Sequence, residues 1–275
     1  MSTEVANKDI LRGGQFIVKE TNCEDVFTLE DLSEEQKMMR DSTKEFVDRE
    51  LWGEWERFEK KDYAYTEETM RHAGELGLLG IAVPEAYGGM GMGFVSTMLV
   101  CDYISGATGS FSTAYGAHTG IGTMPITLYG NDEQKKKYVK RLVSGEWGGT
   151  MLLTEANAGT DVGALTTSAV KNDDGTYTLT GNKIFITNGK LALDESHGLS
   201  VVWATIDPKA GRAGIKSFVV EGQNPGVIIA KQEHKLGIRA SDTVSLVFQD
   251  CRVPYDNLLG SADVVSKSTG NKGFK

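Results

Sequence analysis

Cysteine is scarce in this chain. The three present, Cys23, Cys101 and Cys251, are odd in number and far apart. None belongs to a C-x-x-C pair, and none has a histidine at ligand spacing. That excludes a disulfide scaffold and gives no reason to expect a metal site, so reduced thiols are the expectation. Long apolar runs are missing too. Nothing approaches the ~18 uninterrupted apolar residues of a membrane span. The opening "MSTEVANKDILRGGQ" has neither an apolar h-region nor an Arg-rich amphipathic stretch, so no secretory or organelle signal is read there. The expectation is a cytoplasmic protein of the bacterial kind, without integral membrane contact. Positive charge is also in deficit: 29 Lys and Arg against 38 Asp and Glu give a net charge of −9. Such a surface repels phosphates and argues against nucleic acid as a partner. The run Lys135–Lys137 sits among acids on an expected helix and reads as a solvated face.

What is there is enough for a sizeable core. Of 275 residues, 40% are hydrophobic, and two domains are the natural expectation for that length. From about Ser33 to Ser144 the pattern is helical. Ser33 with Gln36 reads as a capping box, and Met39, Phe46, Val47 and Leu51 then mark one helix face. Thr66, followed by Glu67 and Glu68, reads as the start of a second helix, and "VPEAYGG" as a turn after it. Two small-residue-rich helices are expected over Phe94 to about Ile104 and Ser110 to about Ile121, and a last one from Asn131 to Val143. After "GEWGG" the period changes to two. "TYTLTGNKIFITNG" follows the turn "NDDG", and further short β-rich runs reach about Phe248. The fold class is therefore α+β: an N-terminal all-helical domain, then a middle antiparallel β-barrel-like domain. The expected divisions are an extension over 1–28, helices over 29–147, the β-domain over 148–260, and a polar stretch over 261–275 where a further domain is expected to start.

Two stretches stand out. "LLTEANAGTD", Leu152–Asp161, has little side-chain bulk. Gly159 offers backbone freedom, Thr154 and Thr160 offer hydroxyls, and free N–H groups there can form an anion-binding concavity. A flat ring with a phosphate tail suits such a surface; so does a plain strand connection with Ser/Thr turns. It is not a Walker A or a Rossmann loop, and "GGMGMG" after the Pro turn reads as a connector. In "KIFITNG", Phe185 and Ile186 point to opposite sides of a strand and Thr187 returns a hydroxyl to the aromatic side. That side can stack a planar heterocycle, although an ordinary strand ending in an Asn-Gly turn has the same residues.

Together with "GELGLLGIAVPEAYGG", "GNDEQKKKYVKRLVSGEW" and "ASDTVSLVFQDCRVPYDNLLG", the two stretches resemble the acyl-CoA dehydrogenase family over about Leu29 to Lys275, and "GGQFIVKET" resembles its very-long-chain branch and bacterial relatives. The resemblance implies FAD. Met151, Leu153, Thr154, Gly159 and Thr160 match the family's flavin strand and loop, and Phe185, Ile186 and Thr187 match its aromatic-Ile-Thr element, whose Thr reaches the flavin N5. It implies Thr160, Asp242 and Thr243 as substrate contacts. The implied partners are an acyl-CoA, an electron-transferring flavoprotein and, in the full-length form, a second copy in a dimer or tetramer. The loop departs from the commonest pattern at Ala156 and Asn157, and Val244 stands where medium-chain enzymes have Arg. The family's general-base Glu lies in a C-terminal helical domain, expected beyond Lys275, so no catalytic residue is assigned within the chain. Glu155 is expected to make a structural hydrogen bond, His118 to be a buried, hydrogen-bonded imidazole, and Trp52, Trp55, Trp147 and Trp203 to be packing residues. An acyl-CoA oxidase or nitroalkane oxidase on the same scaffold, and a non-catalytic flavin or acyl-CoA binding module, are the alternatives.

Overall fold

The computed structural model describes Leu11 and residues 13–264. The signal reading at the N-terminus and most of the expected 261–275 stretch lie outside the described residues. A short helix, α1 (Gln15–Val18), precedes α2 (Glu34–Phe46). The capping box is present: Ser33 Oγ accepts from the Gln36 N–H, and the Gln36 side chain accepts from the Ser33 N–H. Met39, Phe46, Val47 and Leu51 are all buried. After α3 (Trp55–Glu59), α4 (Tyr63–Glu75) begins three residues before the expected start. Asp62 is its cap, accepting from the Tyr65 N–H. Thr66 lies inside the helix, and its hydroxyl donates to the Asp62 carbonyl.

Helices α5 (Phe94–Ala107) and α6 (Gly109–Gly116) follow, and α6 continues through wide π-type turns over Ala117–Thr123 into α7 (Met124–Tyr129). Asn131 caps α8 (Asp132–Gln134), which runs on through Lys135–Val139 to α9 (Lys140–Val143). Phe111 is the hub of the helical core, with ring centroids 6.3 Å from Phe46 and 5.3 Å from Phe58. Trp52 and Trp55 are more than half exposed and do not pack there, contrary to expectation.

The second layer is one eight-stranded sheet. Its strands are β1 (Gly149–Leu152), β2 (Ser168–Lys171), β3 (Thr176–Thr187), β4 (Leu199–Thr205), β5 (Ile215–Glu221), β6 (Val227–Gln232), β7 (Thr243–Pro254) and β8 (Leu258–Leu259). The order is β6-β7-β3-β2-β4-β5-β8, with β1 added beside β4. Two expectations are corrected. The sheet is open, because β8 has only two residues and β6 and β8 end the sheet unjoined. It is also mixed: β4 runs parallel to both β1 and β2. Neither joins β4 through a tight turn, so the parallel direction is available to both.

The layers meet through Ile126, Tyr138, Val139, Leu142 and Val143 of the helices against Leu199, Val201, Val219 and Leu259 of the sheet. Each such fully buried side chain contributes roughly 1.5–3 kcal/mol. His118 adds a polar joint. Its Nδ1 accepts from the Gly149 N–H at 3.0 Å, so Nε2 carries the proton and donates to the Leu142 carbonyl at 2.9 Å. Burial pushes its pKa down to about 4, against the opposing effect of the Leu142 bond.

Candidate functional site

The site is shaped by a break in strand register. On β3, Lys183 pairs with Leu246 and Ile186 with Val244, so Ile184 and Phe185 stand against Ser245 alone. That is a one-residue β-bulge. It explains why Lys183 and Ile186 are both buried although strict alternation forbids it. Phe185 sits in the bulge at φ 56° and is 61% exposed. An aromatic residue held in left-handed backbone costs energy that the surrounding structure must offset, and such positions cluster at functional sites. Ile186, by contrast, is 3% exposed within the sheet core, so only its backbone is available to a ligand.

The same segment bonds to the end of β1. The Ile184 N–H donates to the Thr154 carbonyl at 2.9 Å, and the Thr150 hydroxyl donates to the Thr187 carbonyl at 2.6 Å. The two unusual stretches, separate in sequence, therefore lie side by side. Met151 and Leu153 are half-buried against the cluster of Ala158, Leu165, Trp203 and Ile215. Beyond them Glu155 and Ala158 exchange backbone hydrogen bonds in a tight turn, and Gly159 and Thr160 stand exposed outside it. A Cβ on Gly159 would meet nothing within 4 Å, and its φ is not left-handed. The glycine is thus not required by the turn; what it supplies is space.

Sequence reading did not anticipate Lys183. Its Nζ donates to the Leu153 carbonyl at 3.0 Å and to Glu155 Oε1 at 2.8 Å, with the two side chains 0% and 3% exposed. Glu155 also accepts from the Thr166 N–H and hydroxyl at 2.6 and 2.8 Å and from the Thr167 N–H at 3.0 Å. Burial alone would raise its pKa, but these donors and the Lys183 charge outweigh it and hold the carboxyl at about 2. The available signal was a lysine at an inward strand position, which needs a buried acid as partner.

Asp242, a residue the resemblance implies as a substrate contact, is engaged with backbone groups of the protein itself. It is 1% exposed, and its oxygens accept the Lys190 and Leu191 N–H groups at 2.8 and 2.9 Å, capping the helical turns of Leu191–Glu195. Thr243 stays half-buried at the site's margin, paired across the ladder with Thr187. Asn188 ties this margin to the helices: its Nδ2 donates to the Ala114 carbonyl and its Oδ1 accepts from the Ser241 hydroxyl. Among the described residues no cluster of three or more His, Cys, Asp or Glu could hold a metal ion, and no helix is long and apolar enough to cross a membrane.

A helical layer docked on an open mixed sheet, with an exposed aromatic ring and threonines gathered where two strands end, defines an α+β protein. Residues 33–146 match the acyl-CoA dehydrogenase N-terminal domain, and residues 150–251 match the acyl-CoA dehydrogenase middle domain. The chain belongs to the acyl-CoA dehydrogenase family through these two domains. A probable acyl-CoA dehydrogenase of Bacillus subtilis is 39% identical over 253 residues, 92% of this chain and 41% of the relative. A mitochondrial isovaleryl-CoA dehydrogenase of Pongo abelii is 38% identical over 83% of this chain and 53% of its own. The crystal structure of a Bacillus anthracis acyl-CoA dehydrogenase complexed with FAD superposes with a TM-score of 0.81 at 40% identity, covering 91% of this chain and 41% of that one. The chain thus spans about half or less of the length of these relatives.

Proposed function

We propose that this chain forms the flavin- and thioester-binding part of an FAD-dependent acyl-CoA dehydrogenase. The observation that carries the reading is the junction of Thr154 with Ile184 and of Thr150 with Thr187, which puts both cofactor stretches on one surface. The residues fit FAD. The exposed Phe185 ring and the half-buried Leu153 and Met151 give an apolar shelf for a planar ring. The Thr154 and Thr187 hydroxyls give it polar partners, and the open space at Gly159 and Thr160 admits a pyrophosphate. FAD, when bound, supplies a hydride acceptor for the oxidation of an acyl-CoA to its trans-2-enoyl thioester. The chain's residues orient that acceptor and keep water from one side of it. Thr160, Asp242 and Thr243 are the candidates for substrate contact, and Asp242 reaches a ligand only through the turns it caps. The base that removes the α-proton is assigned to a Glu of the family's C-terminal helical domain, since Glu155 is ion-paired and Asp242 is a cap.

A fatty acyl substrate and the very-long-chain branch are part of this reading. The match to the Bacillus subtilis relative, which covers 92% of this chain but only 41% of that protein, supports a long multidomain enzyme. An electron-transferring flavoprotein as acceptor, a homo-oligomeric full-length form and a cytoplasmic location complete it. The test is anaerobic addition of acyl-CoA thioesters of graded length to the FAD-loaded full-length protein. Bleaching of the flavin by at least one thioester, with slow recovery in air, is expected. Rapid recovery in air favours an oxidase, and no bleaching with any thioester refutes the reading.

A further inference from the structure

The Glu155–Lys183 pair has more connections than a buried charge pair needs for neutrality. One ammonium holds the Leu153 carbonyl and the Glu155 carboxylate, the groups on either side of Thr154. The next residue of the same strand, Ile184, holds the Thr154 carbonyl itself. Three consecutive residues of the loop are therefore fixed by two consecutive residues of β3, immediately before the bulge that exposes Phe185. On its other side the carboxylate gathers Thr166 and Thr167, where the same loop returns to the sheet. The β1–β2 loop is thus clamped at both ends by a single carboxylate.

Stability does not account for this choice. Replacing a buried ion pair by apolar residues of similar volume is often neutral or stabilising, because desolvation cancels the attraction between the charges. A paired charge with every oxygen engaged does something an apolar pair cannot: it allows one spacing and one orientation. Cofactor and catalytic geometry is sensitive to displacements of about 1 Å, and sites are held by supporting groups that never touch the ligand.

We infer that Glu155 and Lys183 are positioning residues, a buried lock that sets the distance between the loop carrying Thr154, Gly159 and Thr160 and the bulge carrying Phe185 and Thr187. The inference rests on the flavin reading of that surface. The lock acts on the cofactor only through the backbone it fixes.

The test uses the full-length protein in wild-type form and as Lys183→Met combined with Glu155→Leu. Three quantities are measured: the melting temperature of the flavin-free protein, the Kd for FAD, and the reduction potential of the bound flavin. The lock predicts a melting temperature lowered by several degrees, since the swap leaves the Thr166 and Thr167 N–H groups without the acceptor that Glu155 gives them. It also predicts a Kd raised about tenfold or more and a shifted potential. Thr166→Val is the milder variant, at an exposed position that tolerates the change. It removes one hydroxyl from Glu155 and should raise the Kd about threefold while lowering the melting temperature by no more than a few degrees. If the double variant does not fold, Thr166→Val decides alone. A wild-type protein without affinity for FAD would overturn the flavin reading and this inference with it. A wild type that binds FAD, with folded variants of unchanged Kd and potential, would overturn the lock and leave the flavin reading standing.

Discussion

At Gly159 a side chain would enter open space, and the backbone there needs no glycine. Gly159→Val should therefore leave the unfolding free energy of the flavin-free protein within about 0.5 kcal/mol of wild type, as at an ordinary surface position. Its effect should fall on the ligand, whose phosphates are proposed to approach that spot. The FAD released by acid from purified protein should drop from near one per chain to near none, and full occupancy would show that the loop is not the site. Thr187 separates two other quantities. Its carbonyl is held by Thr150 and survives substitution, whereas its hydroxyl is the proposed partner of the flavin edge. Thr187→Ala should cost FAD binding only about 0.5–1.5 kcal/mol, one net hydrogen bond. The rate of flavin reduction by substrate in stopped flow should fall further than that, and equal losses in the two would remove Thr187 from the N5 role.

Elements were legible in the sequence where their signals are local. The box at Ser33/Gln36 and the Asn131 cap mark helix starts found in the structure, since a cap is made by residues two or three apart. At α4 an equally local competitor won: Asp62, four residues before Thr66, takes the cap, and Thr66 turns its hydroxyl back into the helix. The bulges were not legible. Whether β3 carries an extra residue between Lys183 and Ile186 depends on its pairing with β7, some sixty residues on, and on the demand of the Thr154 carbonyl for the Ile184 N–H. The two stretches of the site were readable singly, and the Lys183 bond that joins them was not. Asp242 shows the same limit, since its partners are the backbone of Lys190 and Leu191. Asp242→Ala should strand two N–H groups at the start of the Leu191–Glu195 turns, destabilising the protein by at least about 2 kcal/mol at ~1–3 per group. Urea unfolding measures that loss, and KM for acyl-CoA in the molecules that remain folded should not change. A raised KM with unaltered stability would make Asp242 a direct ligand contact.

The whole molecule depends on the seam between its layers, where His118 is neutral and bonded through both nitrogens. Its folded pKa of about 4 lies below the ordinary value of about 6.5. Between those values the unfolded chain binds the proton and the folded one does not, so stability falls as pH drops from about 6.5 towards 4. The span corresponds to about 3 kcal/mol. Urea midpoints measured across that range should show the decline, and His118→Gln should flatten it; a slope unchanged by the substitution would place the titration elsewhere. In the proposed function the Met151–Thr160 and Phe185–Thr187 stretches are two parts of one flavin surface. Hydrogen–deuterium exchange of the full-length protein with and without FAD tests this most directly. FAD is expected to slow exchange in both stretches together, with little change in α2 and α4. Protection of only one stretch, or of neither while FAD is bound, would contradict it.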